Sequence, residues 1–188
     1  METFYAKDRR EWRRWLSSNH KKADEIWLVY YRKATGKPRV AYNDAVEEAL
    51  CYGWIDSIVR TVDDERFAQR FSPRKPKSVL SQMNRERVRK LIASKKMTKA
   101  GLAAIAHVFD PATDAVDDFV VPPDILKRIK ADKESWRNFQ AFPDEYKRIR
   151  VAWIDGARIR PDEFEKRLRH FLKMTKQGKR FGYVKEMR

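Results

Sequence analysis

Hydrophobic positions recur along the chain with two periods. Spacings of three and four residues predict helices that bury one face, whereas alternation at every second residue predicts strands. The helical spacing is found over residues 8–18, 43–53, 78–95 and 99–109. The strand-like segments, rich in β-branched and aromatic residues, are 25–33, 54–62 and 66–71. The first 109 residues therefore predict an α+β fold, in which a small antiparallel sheet packs with helices.

Only the helical period continues beyond residue 124. The segments that show it are 125–139, 144–154 and 161–175. The segment before them, 110–124, contains three prolines, five acidic residues and no basic residue, which is typical of a linker. The predicted organisation is an α+β domain over 1–109, an acidic proline-containing linker over 110–124, and a three-helix module with a basic tail over 125–188.

The composition is strongly basic. Among 188 residues, 43 are Lys or Arg and 27 are Asp or Glu, which gives a formal charge of +16. Such a charge favours nucleic acid or another polyanion as a partner, although it also serves solubility. The base excess is concentrated in 84–109 and 125–188, whereas the first 83 residues carry only +5.

The third predicted strand and its neighbour carry the clearest candidate site. Strand alternation places Trp54 and Asp56 on one face, and Arg70 of the neighbouring strand would complete it with a guanidinium. Arg74 lies just beyond, near the start of the next helix, where an arginine and a helix N-terminus together can bind an anion. Asn84 is expected at the same edge. A purely structural ion pair between Asp56 and Arg70 over the Trp54 ring is the alternative.

The same region carries a family resemblance. The segments Cys51–Arg60 and Arg70–Ser78 resemble the YdeI/OmpD-associated family, also described as bacteriocin-protection proteins. The likeness extends to the segment 27–33, which adds Lys33 to the candidate ligand-binding residues, and more weakly to the C-terminal helices. The resemblance implies a small bacterial protein with a protective role, but it implies no catalytic mechanism.

The basic C-terminal helices offer a second candidate site. Its candidate nucleic-acid contacts are Arg158, Arg160, Arg167, Lys173, Lys179 and Arg180. In the tail, Phe181 and Tyr183 are interspersed with basic residues, a pattern that suits stacking on nucleobases combined with phosphate contacts. The alternative is a solvated helix face followed by a frayed terminus.

Other function classes find little support in the sequence. The single cysteine, Cys51, excludes a disulfide framework, and its place late in a helix favours a buried, unreactive thiol. The three histidines lack metal-ligand spacing, and there is no glycine-rich phosphate loop. We therefore expect no metal and no cofactor. No apolar targeting segment or membrane-spanning stretch is visible, so we expect a cytoplasmic protein.

These patterns together predict a non-catalytic binding or stress-protection protein that holds a small anionic ligand or a protein partner. Two alternatives stay open. The first is a nucleic-acid-binding protein that uses the basic C-terminal helices. The second is an enzyme of unknown reaction, in which Asp56 would act as a general base or as an orienting carboxylate.

Overall fold

The computed structural model describes residues 2–114, 119–182 and 184, and it divides the chain into two compact units. The first unit comprises Met1–Leu80 and Arg87–Ala112, and the second comprises Ser81–Glu86 and Thr113–Arg188. The domain bounds expected from the sequence, with a linker over 110–124, stay a prediction. Part of that linker, 115–118, lies outside the described residues.

A four-stranded mixed sheet forms the centre of the first unit. Its strands are β1 (Thr3–Tyr5), β2 (Ile26–Tyr31), β3 (Trp54–Thr61) and β4 (Arg66–Pro73), in the order β1-β2-β4-β3. The α+β class is confirmed. The expectation of a wholly antiparallel sheet is wrong, because β1 pairs with β2 in parallel. Three residues are too few for an alternating pattern, so β1 could not be predicted from the sequence.

The first unit's helices bury their apolar faces against one side of this sheet. They are α1 (Arg9–Asn19), α2 (Tyr42–Cys51), α3 (Gln82–Ala93, whose first turn belongs to the second unit) and α4 (Lys99–Ile105). Trp12 and Leu16 of α1 are fully buried with Phe71 of β4. The predicted start of α3 at Ser78 is wrong, since the helix begins at Gln82 and the Ser81 hydroxyl accepts from the Asn84 amide at 3.3 Å.

Helices α1 and α2 are joined by a buried ionic contact. The carboxylate of Glu48, only 2% exposed, accepts from Arg9 Nε and from Arg13 Nη1, each at 2.5 Å. Close by, the Trp12 indole donates to the Ala45 carbonyl at 2.9 Å. The pairing explains why an acidic side chain stands among the inward positions of α2.

The described residues of the second unit form helices and the segments that connect them, with no strand. Its own helices are α5 (Pro123–Lys130), α6 (Lys133–Ala141), α7 (Asp144–Asp155) and α8 (Pro161–Lys176). The prediction of one helix over 125–139 is wrong, and the described part of the module has four helices instead of three. The chain breaks at Asp132, whose carboxylate caps α6 by accepting from the Ser135 amide at 2.8 Å and pairs with Lys176 at 2.9 Å.

Candidate functional site

The structure separates Asp56 from Arg70. Asp56 is the register partner of Phe71, whereas Arg70 is the register partner of Trp27 on the other neighbouring strand. Because Arg70 and Phe71 are consecutive in β4, their side chains point to opposite faces of the sheet. The expectation that Arg70 shares a face with Asp56 is therefore wrong, and Arg70 instead bonds to Glu25 at 2.6 Å.

The remaining residues of that predicted site lie in four different settings. Trp54 is buried in the core, and its indole donates to the His20 carbonyl at 3.1 Å. Arg74 is half-buried and donates to the Val79 carbonyl at 2.7 Å. Asn84 is buried and belongs to the second unit, while Lys33 lies exposed in a single 3-10 turn. Their proposed ligand contacts stay a prediction, and Asp56 alone belongs to the polar group described next.

Asp56 anchors a polar cluster in the first unit. Its carboxylate accepts from the Tyr42 hydroxyl at 3.0 Å and from the Gln69 amide at 2.8 Å. Tyr42 begins α2, and Gln69 follows the face of β4 on which Phe71 is buried. A bulge in β3 after Asp56 shifts the pairing, so that Val59 becomes the register partner of Gln69. The strand thus bends beside the carboxylate.

Tyr30 contributes a buried hydroxyl to this cluster. The side chain is 2% exposed and stacks on Phe67 with ring centroids 5.1 Å apart. Burial raises the pKa of Tyr30, and the neighbouring Tyr42 and Asp56 raise it further. The hydroxyl is therefore protonated at neutral pH, and it has no hydrogen-bond partner among the described residues.

Two guanidinium groups complete the cluster. Arg87 of α3 is buried and donates to the Asn43 side chain at 2.8 Å; burial lowers its pKa, but an arginine stays charged at neutral pH. The guanidinium of Arg39 lies 5.9 Å from the centre of the Tyr30 ring and 5.7 Å from that of Phe67. We name this group the Asp56 cluster: Tyr30, Arg39, Tyr42, Asn43, Asp56, Gln69 and Arg87.

The Asp56 cluster is rich in hydrogen-bond donors. The neutral side chains of Tyr42 and Gln69 already donate to its carboxylate. The cluster also contains two cations, Arg39 and Arg87, and the Tyr30 hydroxyl, which has no hydrogen-bond partner among the described residues. Such groups can bind a small anion with hydrogen bonds that the positive charge strengthens.

The predicted nucleic-acid residues divide into two sets. Arg158 bonds to Asp124 at 2.9 Å and to Asp155 at 2.5 Å, and Arg167 bonds to Glu163 at 2.8 Å, so neighbouring carboxylates neutralise both. The other four are exposed and form no ion pair with any residue that the structure describes. They are Arg160, Lys173, Lys179 and Arg180. Tyr183, expected to stack with bases, lies outside the described residues.

Comparison with known families assigns both parts of the chain. A model described as a domain of unknown function, DUF8412, matches residues 4–104, more than half of the chain. The chain belongs to the DUF8412 family. A second model, described as bacteriocin-protection, YdeI or OmpD-associated, matches residues 118–178 and confirms the resemblance to that family. The motifs at Cys51–Arg60 and Arg70–Ser78 fall in the DUF8412 match. No curated protein and no solved structure matches the chain.

The DUF8412 region contains one thiol, which is buried as expected. Cys51 is fully buried, and burial raises its pKa to about 11, so the thiol is protonated and a poor nucleophile at neutral pH. Across 2–114, 119–182 and 184, no group of histidine, cysteine and carboxylate side chains could hold a metal ion. No helix in these ranges combines the length and apolar character that crossing a membrane requires.

Sequence reasoning missed most of the Asp56 cluster, although two signals were present in the DUF8412 region. Gln69 stands between Phe67 and Phe71 at every second position of β4, so it is a polar residue on a buried face. Arg87 stands between Met83 and Leu91 at steps of four, so it interrupts an apolar helix face. Charged or amide side chains at such positions need a partner, which makes them markers of a buried polar site.

Proposed function

We propose that the protein binds a small anionic molecule at the Asp56 cluster. The observation that carries this proposal is the buried Tyr30 hydroxyl, which has no hydrogen-bond partner among the described residues. An unsatisfied buried donor costs free energy, and an anion that accepts from it would recover that cost. Trp54 and Arg70 have no direct part in this proposal, because one is buried in the core and the other lies on the opposite face.

The charges around Tyr30 favour an anion over a neutral ligand. Arg39 makes neither an ion pair nor a hydrogen bond with any described residue, so its guanidinium is available to a ligand at the edge of the cluster. Arg87 adds a second positive charge, and hydrogen bonds from Tyr42 and Gln69 hold Asp56 in place. The site therefore combines a cation at its rim with donors inside.

A protective role would fit this binding function indirectly. The protein carries +16, and a cationic antimicrobial peptide would be repelled by it. We therefore propose that any protection depends on the bound anion or on a partner. A catalytic role for Asp56 as a general base stays a prediction.

Thermal unfolding with simple anions tests the proposal. Inorganic phosphate, citrate and AMP are each added to the wild-type chain, with chloride at the same ionic strength as the reference. At least one should raise the melting temperature above the chloride value, because a ligand of the folded state stabilises by mass action. Arg39→Ala should abolish most of that shift.

Arg32→Ala is the matched control. It removes the same charge from an exposed position outside the cluster, so it should keep the shift of the wild-type chain. If no anion exceeds chloride, or if Arg39→Ala and Arg32→Ala respond alike, the Asp56 cluster is not an anion site.

A second candidate function is nucleic-acid binding. It is supported by four exposed basic residues of the second unit that form no ion pair with any described residue, namely Arg160, Lys173, Lys179 and Arg180. Each phosphate contact releases counterions, so log K should fall by about 0.9 for each contact per tenfold rise in salt on a DNA duplex. The pair Lys179→Ala and Arg180→Ala should therefore reduce the slope by about two. The absence of duplex and single-strand binding at low salt would exclude this function.

A further inference from the structure

A cavity lies within the second unit, apart from the Asp56 cluster. Its volume is about 380 Å³, which is within the range of small-molecule sites. The first turn of α3 and one side of α7 line it, and Met83, Ile149 and Trp153 provide its apolar wall. Arg150 is the charged residue among those that line it.

Arg150 is a buried cation to which the described residues offer no counter-charge. The residue is 5% exposed, and its guanidinium makes no ion pair with any residue of the described ranges. One N–H donates to the Phe181 carbonyl, while the buried Nε has no hydrogen-bond partner in the described part of the chain. The contrast with Arg148 is direct, since that residue pairs with the nearly buried Glu86 at 2.6 Å.

Aromatic rings compensate only part of the cost of burying this charge. The guanidinium carbon lies 4.0 Å from the centre of the Phe181 ring, and 5.6 Å from those of Tyr146 and Trp153. Cation–π contacts stabilise a desolvated arginine, but they are weaker than a carboxylate partner that forms two hydrogen bonds. The positive charge of this cavity-lining residue thus has no carboxylate partner among the described residues, and a carboxylate bound in the cavity would supply one.

The segment after α8 holds the guanidinium in place. Gly182 has a φ of +68°, and a Cβ at this position would lie 2.4 Å from Arg150 Nη2. Glycine suits this position because its φ is positive, and the hydrogen bond from Arg150 to the adjacent Phe181 carbonyl orients the guanidinium before any ligand binds. A fixed donor loses little conformational entropy on binding.

We propose that this cavity binds a small amphipathic carboxylate, in which the carboxylate pairs with Arg150 and an apolar body packs against Met83, Ile149 and Trp153. The positive charge selects the carboxylate, and the apolar wall selects a ring or a short aliphatic chain over a purely polar anion such as phosphate. This site is independent of the function proposed for the Asp56 cluster.

Ligand-observed NMR titration of the full chain tests this proposal. The probes are phenylacetate and hexanoate, with 2-phenylethanol as an uncharged analogue of the first. At least one carboxylate should bind, and 2-phenylethanol should bind at least tenfold more weakly than phenylacetate. Arg150→Gln should weaken binding of the carboxylate by tenfold or more.

A second variant keeps the test decisive if Arg150→Gln does not fold. Ala152 lines the cavity, and Ala152→Leu should fill part of it and weaken binding at least tenfold while Arg150 stays in place. Ala141→Leu adds the same group at an exposed helix position outside the cavity and should bind as the wild-type chain does. Arg39→Ala should also leave this binding unchanged, which separates it from the Asp56 cluster.

Three results would overturn the proposal. The first is that neither carboxylate binds at millimolar concentration, and the second is that 2-phenylethanol binds as tightly as phenylacetate. The third is that Ala152→Leu binds the carboxylate as the wild-type chain does.

Discussion

Replacing Glu48 with alanine should lower the free energy of unfolding by about 2–3 kcal/mol. The Glu48 carboxylate is almost fully buried and receives hydrogen bonds from Arg9 and Arg13. Its removal would take away the carboxylate that pairs with Arg13, whereas Arg9 would keep its ion pairs with Asp44 and Glu47. The penalty is therefore that of two lost charge-assisted hydrogen bonds. Urea denaturation followed by tryptophan fluorescence measures the change, because four tryptophans lie in the first unit.

The matched control is Glu65→Ala. Glu65 also pairs with a basic residue, Lys37, at 3.1 Å, but the two side chains are 60% and 48% exposed. An exposed pair is screened by solvent and contributes little to stability, so this variant should unfold almost as the wild-type chain does. Equal losses for Glu48→Ala and Glu65→Ala would mean that the contact between α1 and α2 does not depend on a buried ion pair.

Gly101→Ala should also destabilise the first unit strongly, by about 3 kcal/mol. A Cβ at this position would lie 2.3 Å from the Cys51 carbonyl oxygen and 2.7 Å from that of Leu50. Both are backbone atoms and cannot rotate away. Thr98 joins the same helices, since its hydroxyl donates to the Cys51 carbonyl at 2.6 Å and accepts from the Gly101 amide. The alanine would therefore push α4 away from the end of α2.

A reverse substitution in the same helix provides the control. Ala103 is an exposed residue of α4, and Ala103→Gly should cost only about 1 kcal/mol, the usual helix-propensity difference. The two results together would show that alanine is the more stable residue at position 103 and glycine at position 101, although both positions lie in α4. If Gly101→Ala were more stable than the wild-type chain, the helix propensity of alanine would outweigh the close contact with the Cys51 carbonyl. Helix α4 would then pack less tightly against α2 than the structure indicates.

The sequence predicted the longer elements of the first unit because each of them follows a clear period. It could not predict β1, since three residues carry no period, nor the break between α5 and α6. That break depends on Asp132 as a cap, and the local signal, a serine three residues later, is weak beside the continuing apolar spacing. Hydrophobic periodicity predicts well which face of an element is buried, but it predicts poorly where an element begins and ends. For this reason the α+β class was predicted correctly and the number of C-terminal helices was not.

The candidate site was harder to predict because it depends on strand register. Alternation along β3 places Trp54 and Asp56 correctly on one face, but it contains no information about which residue of β4 lies opposite. A shift of one residue exchanges Arg70 for Phe71, and the whole predicted pairing changes with it. The Asp56 cluster also draws on β2, α2 and α3, and only tertiary structure brings those elements to one place.

The most direct test of the central proposal is an NMR titration of the ¹⁵N-labelled full chain with phosphate, citrate and AMP. The account predicts saturable shifts, for at least one anion, in the backbone amides of Tyr42, Asp56 and Gln69, with little change at Lys179 and Arg180. Shifts confined to the basic C-terminal residues, or no saturable shift in the Asp56 cluster, would contradict it.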